Sequence, residues 1–261
     1  MRISKLAKVA SLALAFGLVA GTPAYAVDLQ GSGASFPALL IEGCKAGFAA
    51  SGSGHTYVYA SSSSGTGQAN SDKSIGDFWM SDGAYTAATK RASLIHVPLV
   101  AAPIAILHNL PAKTTLSLSP ATVAGIFGGT ITRWNDPAIV ADNNRSTTKV
   151  IYKKDANGNP AKDAQGNPVV LRTQVVQQHY TLPDKPIKVV YRSDSSGTSE
   201  NFTNYLNKSA SAVWTKAKNK VFKDAFPGNI NDVANLGRVV GAASSTGVAQ
   251  LAGKTAYSIT Y

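Results

Sequence analysis

The sequence predicts an α/β protein folded as two small lobes. Two observations carry this. Short apolar, β-rich runs alternate with segments of helical pattern, as in an α/β sandwich. The chain has 261 residues, 44% of them hydrophobic, which is enough for a sizeable core and suits two small lobes better than one large domain. Charged residues make up only 15%, while Gly, Ser, Thr and Ala are abundant. That composition fits a compact exported protein and excludes a disordered tail or a coiled coil.

The elements follow in order. Leu39 to Ala50 reads as a helix after the Pro37 turn, Thr56 to Ala60 as a strand, and Ser61 to Gly67 as a loop leading into a polar helix near Gln68 to Ser74. Leu94 to Leu107 is a long β-rich run interrupted by Pro98 and Pro103. Ser119 caps a helix that runs to Phe127, with Pro120 at its first position, where its missing N–H costs nothing. Ile187 to Tyr191, Val239 to Ala243 and Ala256 to Ile259 read as strands, and Glu200 to Leu206 and Gly247 to Leu251 as helices. Asp155-Ala-Asn-Gly-Asn-Pro160 and Asp163-Ala-Gln-Gly-Asn-Pro168 are near-copies of one turn signal. With Val150 to Lys153 and Val169 to Gln177 they predict a β-hairpin insertion at about 150–180, read as a surface excursion.

Residues 1–26 read as a secretory signal peptide. Arg2, Lys5 and Lys8 form a basic start, Val9 to Ala20 is apolar and uncharged, and Ala24-Tyr25-Ala26 supplies small residues for cleavage after Ala26. The apolar run falls short of the roughly 20 residues a bilayer requires. No cysteine near the cut offers a lipoprotein attachment site, so the expected location is periplasmic or secreted. Cleavage removes three basic residues and leaves a net charge of about +8. Such a balance suits nucleic acid, anionic surfaces or small anions. The chain lacks a basic block with interleaved aromatics, a zinc-finger pattern and a helix-turn-helix pattern, which argues against nucleic acid. Cys44, the single cysteine, reads as a small buried apolar residue of the first helix or as half of a disulfide whose partner is not in this sequence.

Three segments combine glycine with small hydroxyl residues, Gly31-Ser-Gly-Ala-Ser-Phe-Pro37, Ser61-Ser-Ser-Ser-Gly-Thr-Gly67 and Arg192-Ser-Asp-Ser-Ser-Gly-Thr198, and a fourth, Phe78-Trp-Met-Ser-Asp82, ends in a hydroxyl and a carboxylate. Three of them precede a predicted helix. A helix start offers free N–H groups and the positive end of the macrodipole, glycine admits close backbone approach, and hydroxyls add donors. Each alone is an ordinary N-cap; their recurrence points to one tetrahedral oxyanion. Arg192 follows a strand and can grip two oxyanion oxygens at once, with Asp194 as an alternative or additional partner that would orient it. Asp82 repels a bare anion but accepts a hydrogen bond from a protonated one, so it would favour hydrogen phosphate over sulfate.

These motifs, in this order, resemble the phosphate-binding proteins of ABC phosphate importers. The resemblance covers nearly all of residues 29–261 and implies a type II-like periplasmic binding protein fold: two lobes, a hinge and a ligand cleft. It implies ligand-binding roles for Ser35, Phe36, Ser64, Asp82, Arg192, Asp194, Ser196, Gly197 and Thr198. Ser61 and Ser62 stand where that family often has glycine, which leaves Ser63 as an alternative to Ser64. Ile126-Phe-Gly-Gly-Thr-Ile-Thr-Arg-Trp-Asn-Asp-Pro-Ala-Ile139 resembles a structural helix-turn segment of the family. The implied lobes are residues 27–104, with 254–261 returning to the first lobe at the hinge, and 105–253. The chain stops at Tyr261, short of the segment that completes the family's first lobe, so that lobe is expected to be smaller or incomplete at its C-terminal side.

The function expected is capture of inorganic phosphate and delivery to the membrane permease subunits of an ABC importer, by a monomer without cofactor or metal. Two other classes compete. A secreted phosphatase-like enzyme would need a catalytic constellation, but Ser196 is outside a Gly-x-Ser-x-Gly elbow. His55, His96, His108 and His179 are scattered without metal-ligand spacing. An extracellular adhesion protein on the same fold would account for the long insertion.

Overall fold

The computed structural model describes residues 26–85, 92–111, 116–177 and 179–261. The expected signal peptide, apart from Ala26, lies outside the described residues. Among the described residues the architecture is mixed α/β with three sheets.

The first sheet is parallel, in the order β2-β1-β3, from β1 (Asp28–Gly33), β2 (Thr56–Ser61) and β3 (Phe78–Met80). Helices α1 (Ala38–Ala49) and α2 (Ser64–Asp72) make the crossovers. β1 and β3 were not expected from the sequence. The small residues of β1 are what let β3 lie close: a Cβ at Gly33 would fall 2.9 Å from the Met80 amide nitrogen.

The second sheet, β4-β9-β7-β8, is built from β4 (Leu107–His108), β7 (Lys188–Arg192), β8 (Val239–Ala242) and β9 (Ser258–Thr260). β7 is parallel to both β8 and β9, and β4 closes the far edge antiparallel. Around it pack α3 (Pro120–Phe127), α5 (Gly197–Ser209) and α7 (Ser244–Lys254). The chain also forms α4 (Pro137–Asn143), α6 (Phe222–Ala225) and a short 3₁₀ turn at Val233–Asn235. Ser119 caps α3 as expected, accepting from the Thr122 amide at 3.3 Å with Pro120 next in line. In the helix-turn segment, Asp136 caps α4 and Trp134 is wholly buried, its Nε1 donating to the Tyr257 carbonyl at 3.0 Å. That segment is structural.

The buried apolar side chains divide unequally. Phe127, Trp134, Phe202, Trp214, Phe222 and Tyr261 anchor one large core around the second sheet, and Val190, Val248 and Ala252 form a smaller one beside it. Around the first sheet only Ala34 and Ile41 are buried apolar residues among those described. Two expectations fail for this reason. Cys44 is exposed, not buried, because α1 turns only Ile41 inward. The Leu94 to Leu107 run forms a strand only at its last residue, where β4 pairs with β9; Ile95 and Val97 remain 80% and 76% exposed, and Pro98 and Pro103 have no N–H to give a ladder. A third correction concerns the last strand. It was expected to return to the first lobe, but β9 pairs with β7 and β4 in the second sheet, since its Ile259 belongs to the large core.

The insertion is the expected hairpin. β5 (Ser146–Tyr152) and β6 (Val170–Gln177) pair antiparallel as a separate two-stranded ribbon. The repeated motif makes the same Asx turn twice. Asp155 Oδ1 accepts from the amides of Asn157 and Asn159, and Asp163 Oδ1 from those of Gln165 and Asn167.

Candidate functional site

The residues singled out in the sequence stand at the carboxyl ends of parallel strands. Ser35 follows β1, Ser64 follows β2, Asp82 follows β3, and Arg192 ends β7. Ligands of open parallel sheets bind in this position, where helix N-termini and strand ends meet. Here two sheets present their carboxyl ends to one another.

Arg192 is 2% exposed and grips Asp194 twice: Nε donates to Oδ1 at 2.7 Å and Nη2 to Oδ2 at 2.5 Å. The bidentate pair fixes the guanidinium plane. Its remaining nitrogen, Nη1, donates to Ser245 Oγ at 3.2 Å. The Ser245 amide in turn donates to Ser35 Oγ at 3.0 Å, and the two hydroxyls lie 3.1 Å apart. Below the arginine, the buried Tyr261 hydroxyl accepts from the Arg192 amide at 3.4 Å and lies 2.7 Å from Ser199 Oγ. Burial pushes the Tyr261 phenol well above its ordinary value, so it stays a neutral support.

The other side of the site is built on Asp82. Thr198 Oγ1 donates to Asp82 Oδ2 at 2.8 Å, and the Asp82 amide donates to Ser64 Oγ at 3.2 Å. Burial raises the Asp82 carboxyl above its ordinary value, while the Thr198 hydrogen bond and the Arg192 charge act the other way. That Arg192 influences Asp82 joins the two halves of the site. Tyr59 feels the same carboxylate: its phenol is raised first by burial and then by Asp82, and its hydroxyl donates to the Ala34 carbonyl at 2.6 Å.

Two glycines allow this closeness. A Cβ at Gly197 would lie 2.6 Å from Ser64 Oγ and 2.8 Å from Asp82 Cβ. Gly65 sits against Ser195, and its amide donates to the Ser195 carbonyl at 2.8 Å across the cleft.

Ser63 and Ser64 are placed differently. Ser63 Oγ is the N-cap of α2, accepting from the Thr66 amide at 3.1 Å. Ser64, one residue on, faces α5 through Asp82 and Gly197. Ser196 is the N-cap of α5, its Oγ accepting from the Ser199 amide at 3.2 Å. Phe36 lies next to Ser35, 38% exposed. Ser35, Ser64, Asp82, Arg192, Asp194, Gly197 and Thr198 are thus brought together, and Ser196 caps the helix that presents Thr198.

Sequence reasoning missed Ser245, Tyr59, Gln68, Asn201 and Lys220. Only Ser245 carried a readable signal: Ser244-Ser-Thr-Gly247 has the hydroxyl-and-glycine composition of the other segments and opens α7. Chemically, the site offers a guanidinium fixed by Asp194, several hydroxyls, the amino ends of α2, α5 and α7, and a second carboxylate, Asp82, that is not paired with the arginine. It can hold a small tetrahedral anion that carries a proton.

A family model described as a PBP superfamily domain matches residues 19–261. Phosphate-binding protein PstS3 of Mycobacterium bovis (strain BCG / Pasteur 1173P2) is 30% identical over 215 residues, which cover 80% of this chain and 46% of that protein. Phosphate-binding protein PstS of Xylella fastidiosa (strain Temecula1 / ATCC 700964) is 31% identical over 216 residues, 81% of this chain and 49% of that one. The crystal structure of a phosphate binding protein from Stenotrophomonas maltophilia superimposes with a TM-score of 0.58 at 20% identity, over 90% of this chain and 59% of that one. At that identity the likeness is one of fold. The chain spans about half the length of the curated relatives it matches.

Proposed function

From the premise that this chain belongs to the PBP superfamily, we propose that it is an extracytoplasmic solute-binding protein that captures inorganic phosphate between its lobes and delivers it to the permease subunits of an ABC importer. The lobes are residues 27–104 and the remainder, with the last strand in the second sheet. The observation that carries the reading is one fixed guanidinium, on Arg192, and one half-buried carboxylate, on Asp82, set in a cleft lined by Ser35, Ser64 and Thr198.

Each group has a part. Arg192 supplies the charge and two-point geometry for phosphate oxygens, and Asp194 holds it in plane. The hydroxyls of Ser35, Ser64 and Ser196, and backbone amides at Phe36 and Gly197, supply neutral donors, while the Thr198 hydroxyl holds Asp82. Asp82 accepts the proton of hydrogen phosphate; sulfate has none at neutral pH and meets only repulsion. No bond is made or broken, so the protein works by binding and release as a monomer, without a cofactor. Expected location is outside the cytoplasmic membrane, after removal of residues 1–26.

Titration calorimetry with phosphate and then sulfate tests the reading. Saturable one-to-one phosphate binding, at least about 100-fold tighter than sulfate, is expected; a difference of about 2.7 kcal/mol corresponds to that ratio. Equal affinity for the two, or none for phosphate, overturns it.

A further inference from the structure

A second set of contacts crosses the cleft beside the anion site and reaches the proposed phosphate ligands only through their backbone. Gln68, on α2, is 8% exposed. Its Nε2 donates to the Gly83 carbonyl at 2.8 Å and to Ser81 Oγ at 3.1 Å, both in its own lobe. With both amide protons occupied there, Oε1 faces the other way and accepts from Lys220 Nζ, in the second lobe. The reverse amide orientation would set two donors against each other.

Lys220 is itself anchored. Its carbonyl accepts from the Ser196 amide at 3.0 Å, which ties it to the start of α5. Its stem packs over Gly83 beside Glu200: a Cβ on Gly83 would lie 3.8 Å from Lys220 Cε and 3.3 Å from Glu200 Cδ. Glu200 Oε1 pairs with Lys218 at 2.9 Å, while Oε2 is buried without a hydrogen-bond partner among the described residues. Asn201 adds a second strap, Nδ2 donating to the Asp82 carbonyl at 3.1 Å.

We infer that Gln68, Lys220 and Asn201 form a latch between the lobes that sets how long phosphate stays bound. The inference rests on the phosphate reading for its consequence, but not for the latch itself. These contacts cross the cleft, so opening it breaks them. A contact of this kind shows in the release rate more than in the association rate. They are positioning residues, since none is placed to touch the anion.

Lys220→Met keeps the stem and removes the amine. Two measurements on the full chain test it. Without phosphate, amide exchange at Gly65, whose N–H bonds Ser195 across the cleft, is expected to speed up about tenfold in the variant. With phosphate, stopped-flow is expected to show release about tenfold faster, about 1.4 kcal/mol, and association changed less than twofold. Lys220→Arg, which keeps a long cationic donor, should restore both, and Lys223→Met, an exposed charge nearby, should change neither. Unchanged Gly65 exchange in Lys220→Met overturns the latch whether or not phosphate binds. Faster Gly65 exchange in a protein that binds no phosphate overturns the phosphate reading alone. Equal effects of Lys223→Met would reduce Lys220 to a general charge effect and overturn the latch as well.

Discussion

Thr198 donates its hydroxyl proton to Asp82 Oδ2 at 2.8 Å across 116 residues of chain, joining the first turn of α5 to the end of β3. The contact places a half-buried carboxylate in the cleft, a group that works against a bare anion. A buried carboxylate at an anion site costs stability and has a use only if the anion brings a proton.

That trade gives the first prediction. The Asp82 carboxyl is raised above its ordinary value mainly by burial, so the folded protein holds the proton more tightly than the unfolded chain. Between the unfolded and folded values the native state binds more protons, and stability falls as pH rises through that window. Above the folded value the penalty is fully present. Asp82→Asn removes it. At pH 7 the variant is expected to melt at or above the wild-type temperature, with a smaller loss of stability on going from acid to neutral pH. Its preference for phosphate over sulfate should drop by about tenfold or more. Melting curves across pH and paired calorimetry check both; a destabilised variant that keeps its selectivity would contradict the assignment.

Arg192→Lys keeps the charge but cannot bond Asp194 twice and Ser245 at once. Phosphate affinity is expected to fall about 100-fold. Arg192→Ala should lose binding altogether and also cost on the order of 3 kcal/mol of stability, because Asp194 is left mostly buried without its partner. Calorimetry and chemical denaturation separate the two effects.

Gly197→Ala puts a methyl group 2.6 Å from Ser64 Oγ and 2.9 Å from the Gly83 amide nitrogen. The lobes cannot close on it as they stand. Phosphate binding should weaken at least about tenfold with the far-UV circular dichroism unchanged. Wild-type affinity in this variant would show that the cleft closes some other way.

The same glycines explain what the sequence concealed. Helix starts were expected at Gln68, Glu200 and Gly247, but the helices begin at Ser64, Gly197 and Ser244. Each error runs the same way, since glycine and serine disfavour helix interiors and so read as loop. In α2 and α5 they are there because the opposite lobe lies against them: Gly65 on Ser195, Gly197 on Ser64 and Asp82. Local preference gave way to close approach at the functional surface. Ser245 was lost through the late start of α7. The strand ends were easier, because Ile187 to Tyr191 and Thr56 to Ala60 are apolar runs followed directly by the motif residues. Lys220 carried no pattern at all; its role comes from where Gln68 meets it.

The ribbon of β5 and β6 forms its own two-stranded sheet, held at its tip by two Asx turns. Replacing residues 154–168 by a two-residue Asn-Gly turn should leave the melting temperature within about 2 °C and phosphate affinity within about twofold, since neither core cluster includes this segment. A large loss of either, seen by calorimetry, would make the ribbon part of the binding fold.

The most direct test is an amide-resolved NMR titration with phosphate. Backbone signals of Ser35, Ser64, Asp82, Gly197 and Thr198, together with the Arg192 Nε signal, are expected to move with one shared midpoint at one equivalent. Sulfate at the same concentrations should leave them in place. If the signals respond at different midpoints, or only one lobe responds, the two sheets do not serve a common anion and the account is wrong.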